Sequence, residues 1–159
     1  MRRRLLKALV VVGAVALLAG TGTVAAGTRH VSHASASAYN VGIVYSRTGL
    51  LAAYGAEYVE GLKLGLNYAT KGTNKVNGKT VNLSFADDAT DPATGVSQMK
   101  NFIGQGYNLI AGAVSSGVAL QEAPIAAQNH VLFISGPTAS DAVTGLNRYT
   151  FRGRYGQGS

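Results

Sequence analysis

The 159-residue chain contains no cysteine and no tryptophan. The missing cysteine excludes disulfides, thiolate metal sites and a lipid-modified cysteine at a cleavage point. Histidine is almost as scarce. After His30 and His33 near the start, His130 stands alone, so neither a Ser–His pair nor a histidine metal cluster has its parts. Acidic residues are few as well, seven against 14 basic ones, for a net charge of +7. That excess would suggest nucleic acid if it were spread along the chain. It is not: Arg2, Arg3, Arg4, Lys7 and Arg29 all precede residue 38, whereas every acid follows it. Residues 39–159 therefore hold nine basic and seven acidic side chains, a net of +2, without the basic stripe that nucleic-acid binding needs. Finally, the chain lacks an apolar run of the roughly 20 residues that a membrane-spanning helix requires.

What the first 38 residues do have is a sequence of three parts. A basic start (Arg2 to Lys7) leads into an apolar core from Ala8 to Ala19, which Gly20-Thr21-Gly22-Thr23 cuts short. A small, polar segment then ends in Ala34-Ser35-Ala36-Ser37-Ala38. This is the pattern of a secretory signal peptide, with cleavage expected after Ala38 or Ala36, where small side chains fit the peptidase. Residues 1–38 are accordingly read as a transient signal peptide and the rest as an exported protein of the periplasm or the outer face of the membrane.

About 120 residues remain, enough for one modest domain, with no heptads, short repeats or low-complexity tracts. Val41-Gly42-Ile43-Val44-Tyr45 is a continuous apolar run expected to be a buried strand. Val59, Leu62, Leu66 and Ala69 recur at steps of three and four, which predicts a helix from about Tyr54 to Ala69. Asn77-Gly78 marks a tight turn, and Val81, Leu83 and Phe85 alternate with polar or small residues as in a half-exposed strand. Asp91-Pro92 reads as a capped helix start, with Ala93, Val96, Met99 and Ile103 as the apolar face and Gly104 and Gly106 as the stop. Leu109-Ile110-Ala111 is a third strand, and Val118 to about Gln128 a third helix that Pro124 is expected to kink. Val131-Leu132-Phe133-Ile134 is a fourth strand. Strands alternating with helices imply an α/β fold with an open parallel sheet and right-handed crossovers. Because the second strand alone alternates, it belongs at the edge, in the order 2-1-3-4.

Ligands of such sheets sit beyond the carboxyl ends of the strands. The loops expected there are Ser46–Gly49, Gly112–Gly117 and Ser135–Ser140, all small and polar. Ser115-Ser116-Gly117 opens a helix whose free N–H groups favour an anion, although the serines would equally serve as plain caps. Enzyme signatures are missing: no G-x-S-x-G elbow surrounds Ser115 or Ser116, there is no P-loop, and Gly104-Gln105-Gly106 precedes a strand where a dinucleotide fingerprint would follow one. Asp87, Asp88 and Asp91 lack the spacing of a calcium loop and read as structural, Asp91 as a helix cap.

Four segments taken in order carry a resemblance. They are Ser46-Arg47-Thr48-Gly49-Leu50-Leu51-Ala52-Ala53-Tyr54-Gly55, Asp87-Asp88-Ala89-Thr90-Asp91-Pro92, Gly112-Ala113-Val114-Ser115-Ser116 and Ile134-Ser135-Gly136-Pro137-Thr138-Ala139-Ser140. Together they resemble the type I periplasmic solute-binding proteins of branched-chain amino-acid ABC transporters, the Leu/Ile/Val-binding group. The resemblance implies a Rossmann-like first lobe of a two-lobed protein, here truncated within residues 39–159, that closes on an amino acid and docks on ABC permease subunits. It implies no cofactor and no catalysis. Ser116 would receive the ligand carboxylate, the loop of Pro137, Thr138, Ala139 and Ser140 would supply acceptors for the ammonium group, and Tyr54 would pack near the side chain. Ala139 stands where related binders often place a hydroxyl, a departure that bears on ammonium recognition. Two other readings remain open at this point: a sensory ligand-binding domain of the same fold, and a small exported serine hydrolase using Ser116.

Overall fold

The computed structural model describes residues 38–153; the expected leader and its cleavage site, Ala38 excepted, lie outside the described residues. Strand β1 spans Ala38–Tyr45 and feeds helix α1, Ala52–Ala69. A two-residue strand, β2 (Lys75–Val76), turns on Asn77 and Gly78 into β3, Lys79–Asp87. Both turn residues have positive φ, 50° and 77°, as a tight hairpin requires. Then follow α2 (Pro92–Gly104), β4 (Leu109–Gly112), α3 (Ser116–Gln128), β5 (Leu132–Ser135), a 3-10 turn at Asp141–Val143 and β6, Thr150–Arg152.

The sheet runs β2-β3-β1-β4-β5-β6. Its four inner strands are parallel and stand in the order expected from the sequence. Two corrections apply at the margins. The hairpin strand β2 lies antiparallel outside β3, pairing with Lys79 and Thr80, and β6 extends the other edge parallel to β5. At two and three residues, both are too short to leave a periodic signature. β1 also begins at Ala38 instead of Val41, because Asn40 and Asn82 bond across the parallel register, Asn82 Nδ2 donating to Asn40 Oδ1 at 3.0 Å.

The sheet buries a different set of side chains on each face. Val44, Ile110 and Phe133 pack under α2 and α3 against Met99, Phe102, Val118 and the small residues Ala119, Ala123 and Ala126. Val41, Ile43 and Ala111 face α1, mainly through Tyr58 and Leu62. The apolar faces of the helices differ from expectation. On α1, Val59 is buried but Ala69 is exposed. On α2, Met99 is buried with Gly95 and Phe102, while Ala93 is exposed and Val96 and Ile103 are half-covered. The helix is rolled toward Phe102 because that ring lies over Gly42 of β1, where an added Cβ would stand 2.7 Å from the ring. Helix α3 starts two residues earlier than expected, at Ser116, and its helical run is continuous through Pro124.

Candidate functional site

The carboxyl ends of β1, β4 and β5 open onto one cleft of about 920 Å³. Val114, Ser115, Ser116 and Gly117 form its floor, Leu51 and Tyr54 one wall, and Pro137, Ala139, Asp141 and Arg152 the other.

The floor follows from the way β4 stops. Gly112 has φ 135° and sits so close to Val44 that any Cβ would overlap the Val44 carbonyl. Glycine is therefore required here for both reasons. Ala113, at φ 54°, donates its N–H to the same Val44 carbonyl at 2.9 Å, while the Gly112 carbonyl accepts from Gly136 N–H at 2.7 Å. The chain is thus turned sharply into α3. Ser115 takes the N-cap backbone conformation, yet its side chain makes no cap hydrogen bond. The first-turn N–H groups of α3 lack the side-chain acceptor that ordinarily covers such an end. Ser116 Oγ accepts the Ser140 N–H at 3.3 Å, which leaves its own proton for a ligand oxygen.

The opposite wall is a loop tied in four places. Thr138 is fully buried; its hydroxyl accepts from Ser135 Oγ and donates to the Ala113 carbonyl, both at 2.7 Å. Of the residues expected to recognise an ammonium group, Thr138 is thereby committed to holding the loop, because its hydroxyl is used in both directions. Ser140 Oγ accepts from Ala142 N–H at 3.2 Å and caps the 3-10 turn. Arg152 Nη1 donates to the Ser140 carbonyl at 2.8 Å and to Asp141 Oδ1 at 2.6 Å. Pro137 and Ala139 are the residues of this loop that border the cleft, with Ala139 exposed. Gly136 must lack a side chain because the Tyr58 ring of α1 occupies that space, 2.6 Å from where a Cβ would lie.

Tyr54 and Leu51 are placed by the loop between β1 and α1, which the acidic cluster holds. Asp87 Oδ1 accepts the N–H groups of Arg47, Thr48 and Ala89, and Oδ2 accepts Thr48 Oγ1 at 2.7 Å. Burial pushes the Asp87 carboxyl up, but these hydrogen bonds outweigh it and hold the group below its ordinary range. Asp88 Oδ1 accepts Ser46 Oγ at 2.8 Å and Thr90 N–H at 2.7 Å. Asp91 caps α2, accepting Thr94 N–H at 2.7 Å. All three aspartates serve structure here, and among the described residues no group of three or more His, Cys, Asp or Glu is arranged to hold a metal ion. Tyr54 itself is 59% exposed on the cleft wall, with its ring available to a ligand.

The structure therefore brings Ser116, Pro137, Ala139 and Tyr54 to one cleft, and turns Thr138 inward and Ser140 toward its own turn. Sequence reasoning overlooked Arg152 and Asp141, and gave no role to Leu51 and Val114, although both lie in segments it singled out. The first two sit beyond the fourth strand, in a segment without a periodic pattern.

A parallel-sheet lobe whose helix N-terminus, hydroxyl and aromatic wall face an open cleft has these groups where open α/β sheets receive small ligands. The chain belongs to the periplasmic binding protein family, whose model matches residues 38–158. It is 33% identical over 100 residues to Leu/Ile/Val-binding protein homolog 3 of Brucella melitensis, a match covering 63% of this chain and 27% of that protein. The fold superposes on an ABC-type branched-chain amino acid transporter protein of Rhodopseudomonas palustris with a TM-score of 0.68 and 33% identity, covering 72% of this chain and 32% of that one. A solute-binding protein of an ABC transporter from Rhodopseudomonas palustris BisB5, solved with 3,4-dihydroxybenzoic acid, gives a TM-score of 0.67 at 27% identity, covering 73% and 31%. The chain thus spans roughly a third or less of the length of the relatives it matches.

Proposed function

We propose that this lobe forms one wall of the ligand site in the extracytoplasmic binding component of an ABC transporter for branched-chain amino acids or similar small carboxylate solutes. The observation that carries the reading is Ser116. It stands at a helix N-terminus without a side-chain cap, with a hydroxyl proton to donate, on the floor of the cleft. That is the geometry that receives a carboxylate. The role is binding without catalysis: His130, the one histidine among the described residues, lies past the far end of α3, so none of them gives Ser116 an imidazole base. The basic start and apolar core of residues 1–38 support export, with cleavage after Ala36 or Ala38. ABC permease subunits are the expected partners of the whole protein.

The magnitudes set the strength expected of this wall by itself. A charge-assisted hydrogen bond contributes about 1.5–3 kcal/mol. A helix N-terminus adds about 0.3–2 kcal/mol. The sum, about 1.8–5 kcal/mol, brackets the 4.1 kcal/mol that corresponds to a dissociation constant of about 1 mM. Equilibrium dialysis with labelled leucine should therefore give millimolar binding, weakened at least about fivefold by Ser116→Ala. Turnover of ester or amide substrates that disappears in the same variant would contradict the reading and favour a hydrolase.

A second ligand class is favoured by the loop opposite. Thr138 Oγ1 is consumed by Ala113 and Ser135, Ser140 Oγ caps its own turn, and residue 139 is alanine. Apart from the Asp141 carboxylate, which is paired with Arg152, side-chain acceptors for an ammonium group on this wall are few, which suits an aromatic carboxylate of the kind bound by the relative from Rhodopseudomonas palustris BisB5. Dialysis against 3,4-dihydroxybenzoate beside leucine separates the two classes.

A further inference from the structure

Two carboxyl groups lie in the interior between α2 and α3, and the cleft uses neither. Asp88, directly after β3, and Glu122, in the second turn of α3, are both fully buried. One Asp88 oxygen is satisfied by Ser46 and Thr90, but Asp88 Oδ2 and both Glu122 oxygens have no hydrogen-bond partner. The two side chains converge on Gly95 of α2. A Cβ at that glycine would lie 3.3 Å from Glu122 Oε1 and 3.5 Å from Asp88 Cβ. It would also press on Val118 of α3 at 2.5 Å, so the helices meet here only because residue 95 has no side chain.

Two ionised carboxylates cannot share such a place at low cost, since burial and like charge both oppose the second ionisation. Burial first, and the Asp88 charge second, drive the Glu122 carboxyl well above its ordinary range. Asp88 is raised too, by burial, against the pull of Ser46 and Thr90. The other groups around the pair do not offset this. Asp87 and Asp91 flank Asp88 with further negative charge. From α1, Tyr58 has its phenol pushed up to about 12 by burial and by Glu122. The ion pairs of Arg47 and Lys63 go to Asp87 and Glu60, and on the segments packed against α3 that of Arg152 goes to Asp141. Lys100 on α2 is exposed.

We propose that the proton on Glu122, buried beside Asp88 where α3 meets Gly95 of α2, clamps α2 to α3 and keeps the α3 N-terminus, with Ser116, in its binding geometry, so that the lobe loosens when that proton is lost as pH rises. The sign follows from the neutral form being favoured in the fold. The stabilisation is complete below about pH 4.5, the ordinary Glu122 value, where the unfolded chain holds the proton as well. It is lost as pH climbs through the folded value. Glu122 and Ser116 share one helix, so strain at the buried carboxyl reaches the cleft floor through α3 itself.

The test is thermal unfolding of the chain from pH 5 to pH 9, beside Glu122→Gln, which keeps the shape and removes the titration. The expected result is a Tm that falls by about 5 °C or more in the unmodified chain and by less than a third of that in Glu122→Gln. Superimposable profiles, or an unmodified Tm that is flat to pH 9, would overturn the proposal. Carbon-13 detection of the Glu122 carboxyl gives an answer even if the variant does not fold. A midpoint above pH 6, followed by the Ser116 and Gly117 amide signals, supports the clamp, and a midpoint near pH 4.5 or unmoved Ser116 and Gly117 amides overturn it.

Discussion

At the scale of single residues, the cleft depends on groups that never touch its contents. Thr138 is the clearest. Its hydroxyl joins Ser135 to the Ala113 carbonyl, and through them β5 to the start of the α3 loop. Thr138→Val keeps the volume and leaves both partners buried and unpaired, so stability should fall by about 1–3 kcal/mol in denaturant unfolding. Gly112 is less tolerant, because its positive φ and its contact with the Val44 carbonyl penalise any side chain together. Gly112→Ala should cost about 3 kcal/mol or more, read in the same way. Asp87 predicts acid sensitivity. With its carboxyl held below the ordinary value of 3.8, its contribution is present above that pH and lost as pH falls through the folded value. Amide protection of Arg47 and Thr48, whose N–H groups Asp87 accepts, measured relative to the intrinsic exchange rate, should fall below about pH 3.8, and more so than protection in β1.

At the scale of elements, the long periodic segments were legible and the short ones were not. Three continuous apolar runs placed β1, β4 and β5, and the one alternating run placed β3, correctly outside β1. The helix faces were read less well. On α2, steps of three and four from Ala93 pointed to Val96, Met99 and Ile103; Met99 is buried as expected, but its buried companions are Gly95 and Phe102. The cause lies outside the helix: Gly42 of β1 leaves room for the Phe102 ring, which also stacks on Tyr107 at 4.8 Å. A sequence pattern cannot rank two overlapping stripes when the deciding gap is on another strand. Phe102→Ala should therefore cost about 3–5 kcal/mol, while a change at the exposed Ala93 to serine costs little, by thermal or denaturant unfolding. The cleft was half legible for a related reason. Ser116 and Pro137 announce themselves in Gly/Ser/Thr-rich loops, but Arg152 lies on a three-residue strand and the inward turn of Thr138 depends on the Ala113 carbonyl across the sheet.

At the scale of the whole molecule, the lobe presents a site with a floor and two walls. A small ligand in a complete pocket buries most of its surface. Here the cleft has the uncapped α3 N-terminus with Ser116 as its floor and an aromatic wall at Tyr54, and the opposite wall is spent largely on holding itself together. The proposed function requires a carboxylate solute to dock on the α3 N-terminus, weakly and at that place. Amide NMR of the nitrogen-15-labelled chain during a leucine titration tests it most directly. The prediction is saturable shifts centred on Ser115, Ser116, Gly117 and Ser140, with a midpoint near 1 mM, reduced in Ser116→Ala. Shifts centred away from these four residues, or none at several tens of millimolar leucine or 3,4-dihydroxybenzoate, would contradict it.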